Sequence, residues 1–134
     1  MAEPAEDAPE PGDSDALAYS AAADIKAVRD FVGARAVALG LRAPRVNLLI
    51  LAVSELATNT LQHTSGGGRV RVWAQAHQLV CDVIDHGQVH SFGRRMPAAD
   101  ALRGRGLAIV ERVCDAVEAS AVPGGVRTRI WMNL

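Results

Sequence analysis

The sequence is poor in aromatic residues: two Phe, one Tyr and two Trp make up 4% of 134 residues. A core without rings must be filled by Leu, Val, Ile and Ala, and the apolar share of 49% is enough for one. Cysteine is scarce too. Cys81 and Cys114 stand alone in apolar sequence, which excludes a disulfide framework and a cysteine-rich metal module and suits reduced core residues. Neither sign of charge dominates: 14 bases face 15 acids, for a net charge of -1. That excludes a broad basic field for holding a nucleic-acid backbone. No run is long and apolar enough to span a bilayer. The N-terminus is acidic and rich in proline, unlike a secretory signal. The expectation is one cytoplasmic domain that binds neither membrane nor nucleic acid.

The charge present is unevenly placed. Residues 1–15 hold Glu3, Glu6, Asp7, Glu10, Asp13 and Asp15 and no base. With proline and no periodicity, residues 1–19 read as a disordered acidic tail, with an acidic docking segment as the other reading. The folded domain is expected over residues 20–134. It is mildly basic as a consequence, which suits a polyanionic ligand.

From Asp24 to Leu39, Ile25, Val28, Phe31, Val32, Ala36 and Leu39 recur at helical spacing, and Gly40 is a natural stop. Pro44 suits the first turn of a second helix running to about His63. Arg69 to His77 alternates with a period of two. Leu79 to Asp85 is more apolar, which predicts a central strand, with a hairpin link at His77-Gln78. Residues 86–103 read as a long loop of the kind that is often functional. A third helix follows Gly104-Arg105-Gly106. Strands at Ala116–Val122 and Val126–Leu134 flank a Pro-Gly-Gly turn. This order predicts an α+β two-layer sandwich, with helices on one face of a mostly antiparallel mixed sheet.

Three places carry chemistry. Glu55, Asn59 and His63 are spaced i, i+4, i+8 and form one stripe on a helix that is apolar nearly all round. Such a stripe belongs in a partly dry cleft, or else Glu55 pairs with an arginine at the core's edge. At the end of the second strand, Asp85-His86-Gly87 places an acceptor for an exocyclic amine beside a glycine that lets a flat ring approach. The bland alternative is an Asp that caps its own turn. Gly104-Arg105-Gly106-Leu107 opens directly into an apolar helix, where exposed N–H groups and the helix dipole favour a phosphate. The four histidines show no zinc spacing with a cysteine or carboxylate.

A helix with E-x-x-x-N, then strand-D-x-G, a loop, and G-x-G-L opening a helix resembles the GHKL (histidine-kinase-like) ATPase superfamily. Val53-Ser54-Glu55-Leu56-Ala57-Thr58-Asn59 and the two leading helices look most like its RsbW/SpoIIAB-like anti-sigma-factor serine kinase branch. The resemblance covers about residues 20–134 and implies a Bergerat-type ATP-binding fold. It also implies roles. Glu55 is the catalytic residue, as general base or as the group that positions the attacking nucleophile, Asn59 the magnesium ligand, and Asp85 the reader of the adenine amine. His63, Gly87, Gly104, Arg105, Gly106, Leu107 and Thr128 border the nucleotide, and residues 88–103 form the lid. ATP and Mg²⁺ are the implied cofactors. The implied partners are a sigma factor and a STAS-type anti-anti-sigma protein phosphorylated on serine, and the dimers common in the family make a homodimer an expectation. One departure stands out. Val89 occupies the place of the second glycine in D-x-G-x-G, and its branched side chain resists the backbone angles glycine permits. That favours, as an alternative, a non-catalytic or weakly catalytic nucleotide- or partner-binding module; a detached histidine kinase catalytic domain is a second alternative.

Overall fold

The computed structural model describes residues 16–63, 66–86, 109–123 and 125–134. Five strands form one sheet in the order β1-β2-β3-β5-β4, with β1 Ala16–Tyr19, β2 Gly68–Gln75, β3 Gln78–Asp85, β4 Ala116–Val122 and β5 Gly125–Asn133. All four pairings are antiparallel, so among the described strands the sheet is not mixed. The apolar strand β3 is central, as its composition predicts.

The sheet also begins earlier than expected. Residues 16–19 fall in the stretch read as tail, yet they pair with β2, from Ala16 opposite Arg71 to Tyr19 opposite Gly68. Four residues carry no usable period, so this strand is defined by its partner rather than by its own sequence.

Helix α1 spans Ile25–Leu39 and α2 spans Ala43–His63. Gly40 ends α1 at φ 100°, and its N–H bonds back to Ala36 and Val37 carbonyls. Residues 109–113 are helical. The β2–β3 link is a two-residue turn at Ala76 and His77, both at positive φ. That handedness matches the twist of the flanking strands.

The helices lie on one sheet face. Val28, Val32 and Ala36 of α1 and Leu49, Ala52, Val53, Leu56 and Ala57 of α2 are buried against Val70 and Val72 of β2, Leu79, Cys81 and Val83 of β3, and Ile130 and Met132 of β5. Alternation sends the other residues of each strand to the opposite face. That face is not uniformly solvated: Arg69 is exposed, but an ion cluster beside it is buried. Asp82 is 0% exposed and lies between Arg71, 8% exposed, and Arg129, 5% exposed. Arg71 reaches the carboxylate at 2.7 Å, and Arg129 reaches it through two nitrogens at 2.7 and 2.9 Å. Both guanidiniums also sit over the Trp73 ring, 5.7 and 5.2 Å from its centre. A second ion pair, Arg45 with Asp115, ties the start of α2 to the segment before β4. Asp115 also accepts the Asn133 N–H at 2.6 Å.

Candidate functional site

The polar stripe on α2 sits at the border of the core. Leu49, Ala52, Val53, Leu56 and Ala57 are buried, while Glu55 and Asn59, one helical turn apart, are half-buried. Among the described residues, no ion pair or hydrogen bond engages the Glu55 carboxylate or the Asn59 amide. The arginine partner weighed as an alternative for Glu55 is therefore not found there. His63 closes α2, and its side chain lies outside what is described.

One turn of α2 connects this stripe to the sheet. Thr60, next to Asn59, is buried and donates to the Leu56 carbonyl at 3.0 Å. It also lies beside the phenol of Tyr19, which is 2% exposed at the end of β1. Burial pushes the Tyr19 phenol up to about 12, the Thr60 hydroxyl opposes the shift, and the Asp85 carboxylate adds to it. Tyr19, Thr60 and Asp85 thus meet at one end of the sheet.

Register places the remaining strand residues. Tyr19 is opposite Gly68, Gly68 opposite Asp85, and Asp85 opposite Val126. Thr128 is opposite Val83, so it shares Asp85's sheet face on the neighbouring strand, two positions along. Both are half-buried. Glycines let the backbones close around this corner. A Cβ on Gly125 would fall 1.6 Å from the Asp85 carbonyl oxygen, and one on Gly68 would fall 2.1 Å from that of Ile84 and 2.8 Å from the Tyr19 hydroxyl. Only glycine permits such approach.

The structure therefore brings Asp85 and Thr128 together on one sheet corner, and connects that corner to the Asn59 turn of α2 through Thr60 and Tyr19. Gly87, Gly104, Arg105, Gly106 and Leu107, the lid at 88–103 and Val89 lie outside the described residues. Sequence reasoning missed Tyr19, Thr60, Gly68 and Gly125. Gly68 and Gly125 each open a strand, where glycine weakens pairing unless close approach requires it. That was the available signal.

A family model for the histidine kinase-like ATPase domain matches residues 19–134. The chain belongs to this family. It is accordingly an ATP-binding domain of the GHKL type, and the polar corner lies within the matched span. The fold agrees. Among matching solved structures is the histidine kinase AdeS of Acinetobacter baumannii, at a TM-score of 0.52 and 9% identity, with 88% of this chain and 66% of that one covered. At that identity the likeness concerns the fold alone, and this chain spans about two thirds of the AdeS chain's length. No curated protein sequence matches this chain. Among the described residues no helix is long and apolar enough to cross a membrane, and no group of His, Cys, Asp and Glu could by itself hold a metal ion. A magnesium ion carried in on phosphates needs few protein ligands, so a lone Asn59 oxygen fits that mode of binding.

The Tyr19 shift carries a prediction. Its folded pKa of about 12 lies above its ordinary 10.0, so folding favours the neutral phenol. This stabilisation is complete below pH 10 and is lost as pH rises toward 12, at about 1.4 kcal/mol per pH unit. Buried Cys81 and half-buried Cys114 are raised in the same direction from 9.0, Cys114 to about 12. Urea unfolding at pH 9, 10, 11 and 12 should show stability falling throughout, with a shallower fall between 10 and 12 in Tyr19→Phe.

Proposed function

We propose that this chain is an ATP-dependent regulatory protein of the anti-sigma-factor serine/threonine kinase type, phosphorylating a STAS-type antagonist, sequestering a sigma factor, or both. The observation that carries the reading is the half-buried Glu55–Asn59 stripe, with no protein partner among the described residues, on a helix tied to the Asp85–Thr128 corner. In this reading Asp85 accepts the adenine amine, and Thr128 supports the same edge of the ring. The Asn59 oxygen holds magnesium. Gly87, Gly104, Arg105, Gly106, Leu107 and His63 border the nucleotide.

Bound Mg-ATP supplies the transferable phosphoryl group and neutralises its charge. Such transfers demand positioning more than covalent chemistry from the protein. Glu55 lies about 6 Å along the helix axis from Asn59, at ~1.5 Å per residue. Its carboxylate accepts the proton of the attacking serine hydroxyl. A general base of this kind typically contributes 10²–10⁴-fold in rate.

Val89 favours a second reading, in which the domain binds nucleotide and partner without transfer. One experiment separates the two. The chain is incubated with Mg-ATP and candidate STAS proteins, and phosphoserine is measured. Transfer that falls at least ~100-fold in Glu55→Ala while ATP binding persists supports the kinase. Tight partner binding without transfer in the wild type contradicts it.

A further inference from the structure

The sheet face turned away from the helices has an unusual make-up. Among the described residues it carries Arg69, Arg71, Arg127 and Arg129 against two acids, Asp82 and Glu118. Trp73 and Trp131 stand on it half-buried, flanking the fully buried Val80 to which both are paired. Aromatic and arginine side chains with few lysines are the composition of a binding surface rather than of a solvated one. Its net positive charge disfavours pairing with a second copy, because like charges would be brought together.

The complementary charge lies in the same chain. Residues 1–15 hold six acids and no base. They join the sheet at Ala16, which sits directly opposite Arg71 on the edge strand. Ala16 and Ala18 are the outward residues of β1, so nothing large stands between that edge and the arginines of β2. Fifteen extended residues reach about 50 Å at ~3.3 Å each. Crossing from β1 to β5 takes about 14 Å at ~4.8 Å per strand. The attachment keeps the acids at about millimolar effective concentration around the face.

We propose that the acidic segment 1–15 docks across the outer sheet face, pairing its carboxylates with Arg69 and Arg127, on either side of the buried Arg71–Asp82–Arg129 cluster, and covering Trp73 and Trp131. It thereby reserves an arginine- and tryptophan-lined surface that an acidic partner must compete for. This inference does not depend on the kinase reading, since the face lies opposite the helices.

The chain's two tryptophans both lie on this face, so intrinsic fluorescence reports on it alone. Acrylamide quenching is measured on the full chain and on a full-length variant carrying Glu3→Gln, Glu6→Gln, Asp7→Asn, Glu10→Gln, Asp13→Asn and Asp15→Asn, with circular dichroism to verify the fold. The quenching constant is expected to rise about twofold in the variant. Wild type should rise similarly in ~1 M salt, where the Debye length is ~3 Å. A second variant, Arg69→Gln with Arg127→Gln, should match the first. A peptide of residues 1–15 added to the acid-neutralised chain should restore protection. Equal quenching in wild type and variants at both salt concentrations overturns the proposal. So does protection that grows with protein concentration alike in both, which would assign the face to a second copy.

Discussion

Asp82→Asn should destabilise the fold by about 3–5 kcal/mol in urea unfolding followed by circular dichroism. Asp82 is completely buried and bonds Arg71 and Arg129 at 2.7–2.9 Å. Those guanidiniums sit on β2 and β5, so one carboxylate joins the three central strands. Without its charge, two positive groups remain buried and lose the carboxylate they share. That desolvation cost, rather than the lost bonds alone, makes the effect large. Glu118→Gln is the contrast. Glu118 is opposite Arg129 in register but exposed, so its loss should stay within about 0.5 kcal/mol. Replacing the cluster as a unit (Arg71→Met, Asp82→Leu, Arg129→Met) should recover most of the stability lost in Asp82→Asn. A single-variant loss under about 1 kcal/mol would show that the ion pairs do not hold the sheet.

Asp85→Ala should weaken ATP binding by about 10–150-fold in isothermal titration, since a hydrogen bond involving a charged group contributes about 1.5–3 kcal/mol. Asp85 ends the central strand, with Gly68 opposite it on one side and Gly125 packed on its carbonyl on the other. A side chain so placed can meet a flat base edge-on. The loss should fall on adenine recognition in particular, so any preference for ATP over GTP should collapse with it. Folding stability should change little, because Asp85 is only half-buried at a strand end. Unchanged ATP affinity would remove Asp85 from base recognition.

How far the sequence carried the account depends on the range of each signal. Short-range patterns were legible. The stop at Gly40, the alternation of β2 and the i, i+4 spacing of Glu55 and Asn59 each sit within one element. The same holds for the apolar β3, whose run of buried residues from Leu79 to Val83 goes with its central position. Long-range pairing was not legible. Asp82 reads as one polar break in an apolar strand, and its partners are 11 and 47 residues away. Strand β1 and Tyr19 fell in the stretch read as tail because Ala-Leu-Ala-Tyr has no period to detect. Its position follows from β2. The tail boundary and the corner residues around Asp85 were therefore set by tertiary pairing, which local propensity does not encode.

The central claim is that α2 and the end of β3 form one nucleotide cleft on the helix side of the sheet. An amide NMR titration with Mg-ATP tests it most directly. The account predicts shifts concentrated at Asn59, Thr60, Tyr19, Gly68, Asp85, Gly125 and Thr128, with the outer-face amides of Arg71, Trp73, Arg129 and Trp131 little changed. Shifts concentrated instead on the outer face, on the groove lined by Lys26, Arg29, Asp30 and Ile50, or nowhere at millimolar Mg-ATP, would contradict it.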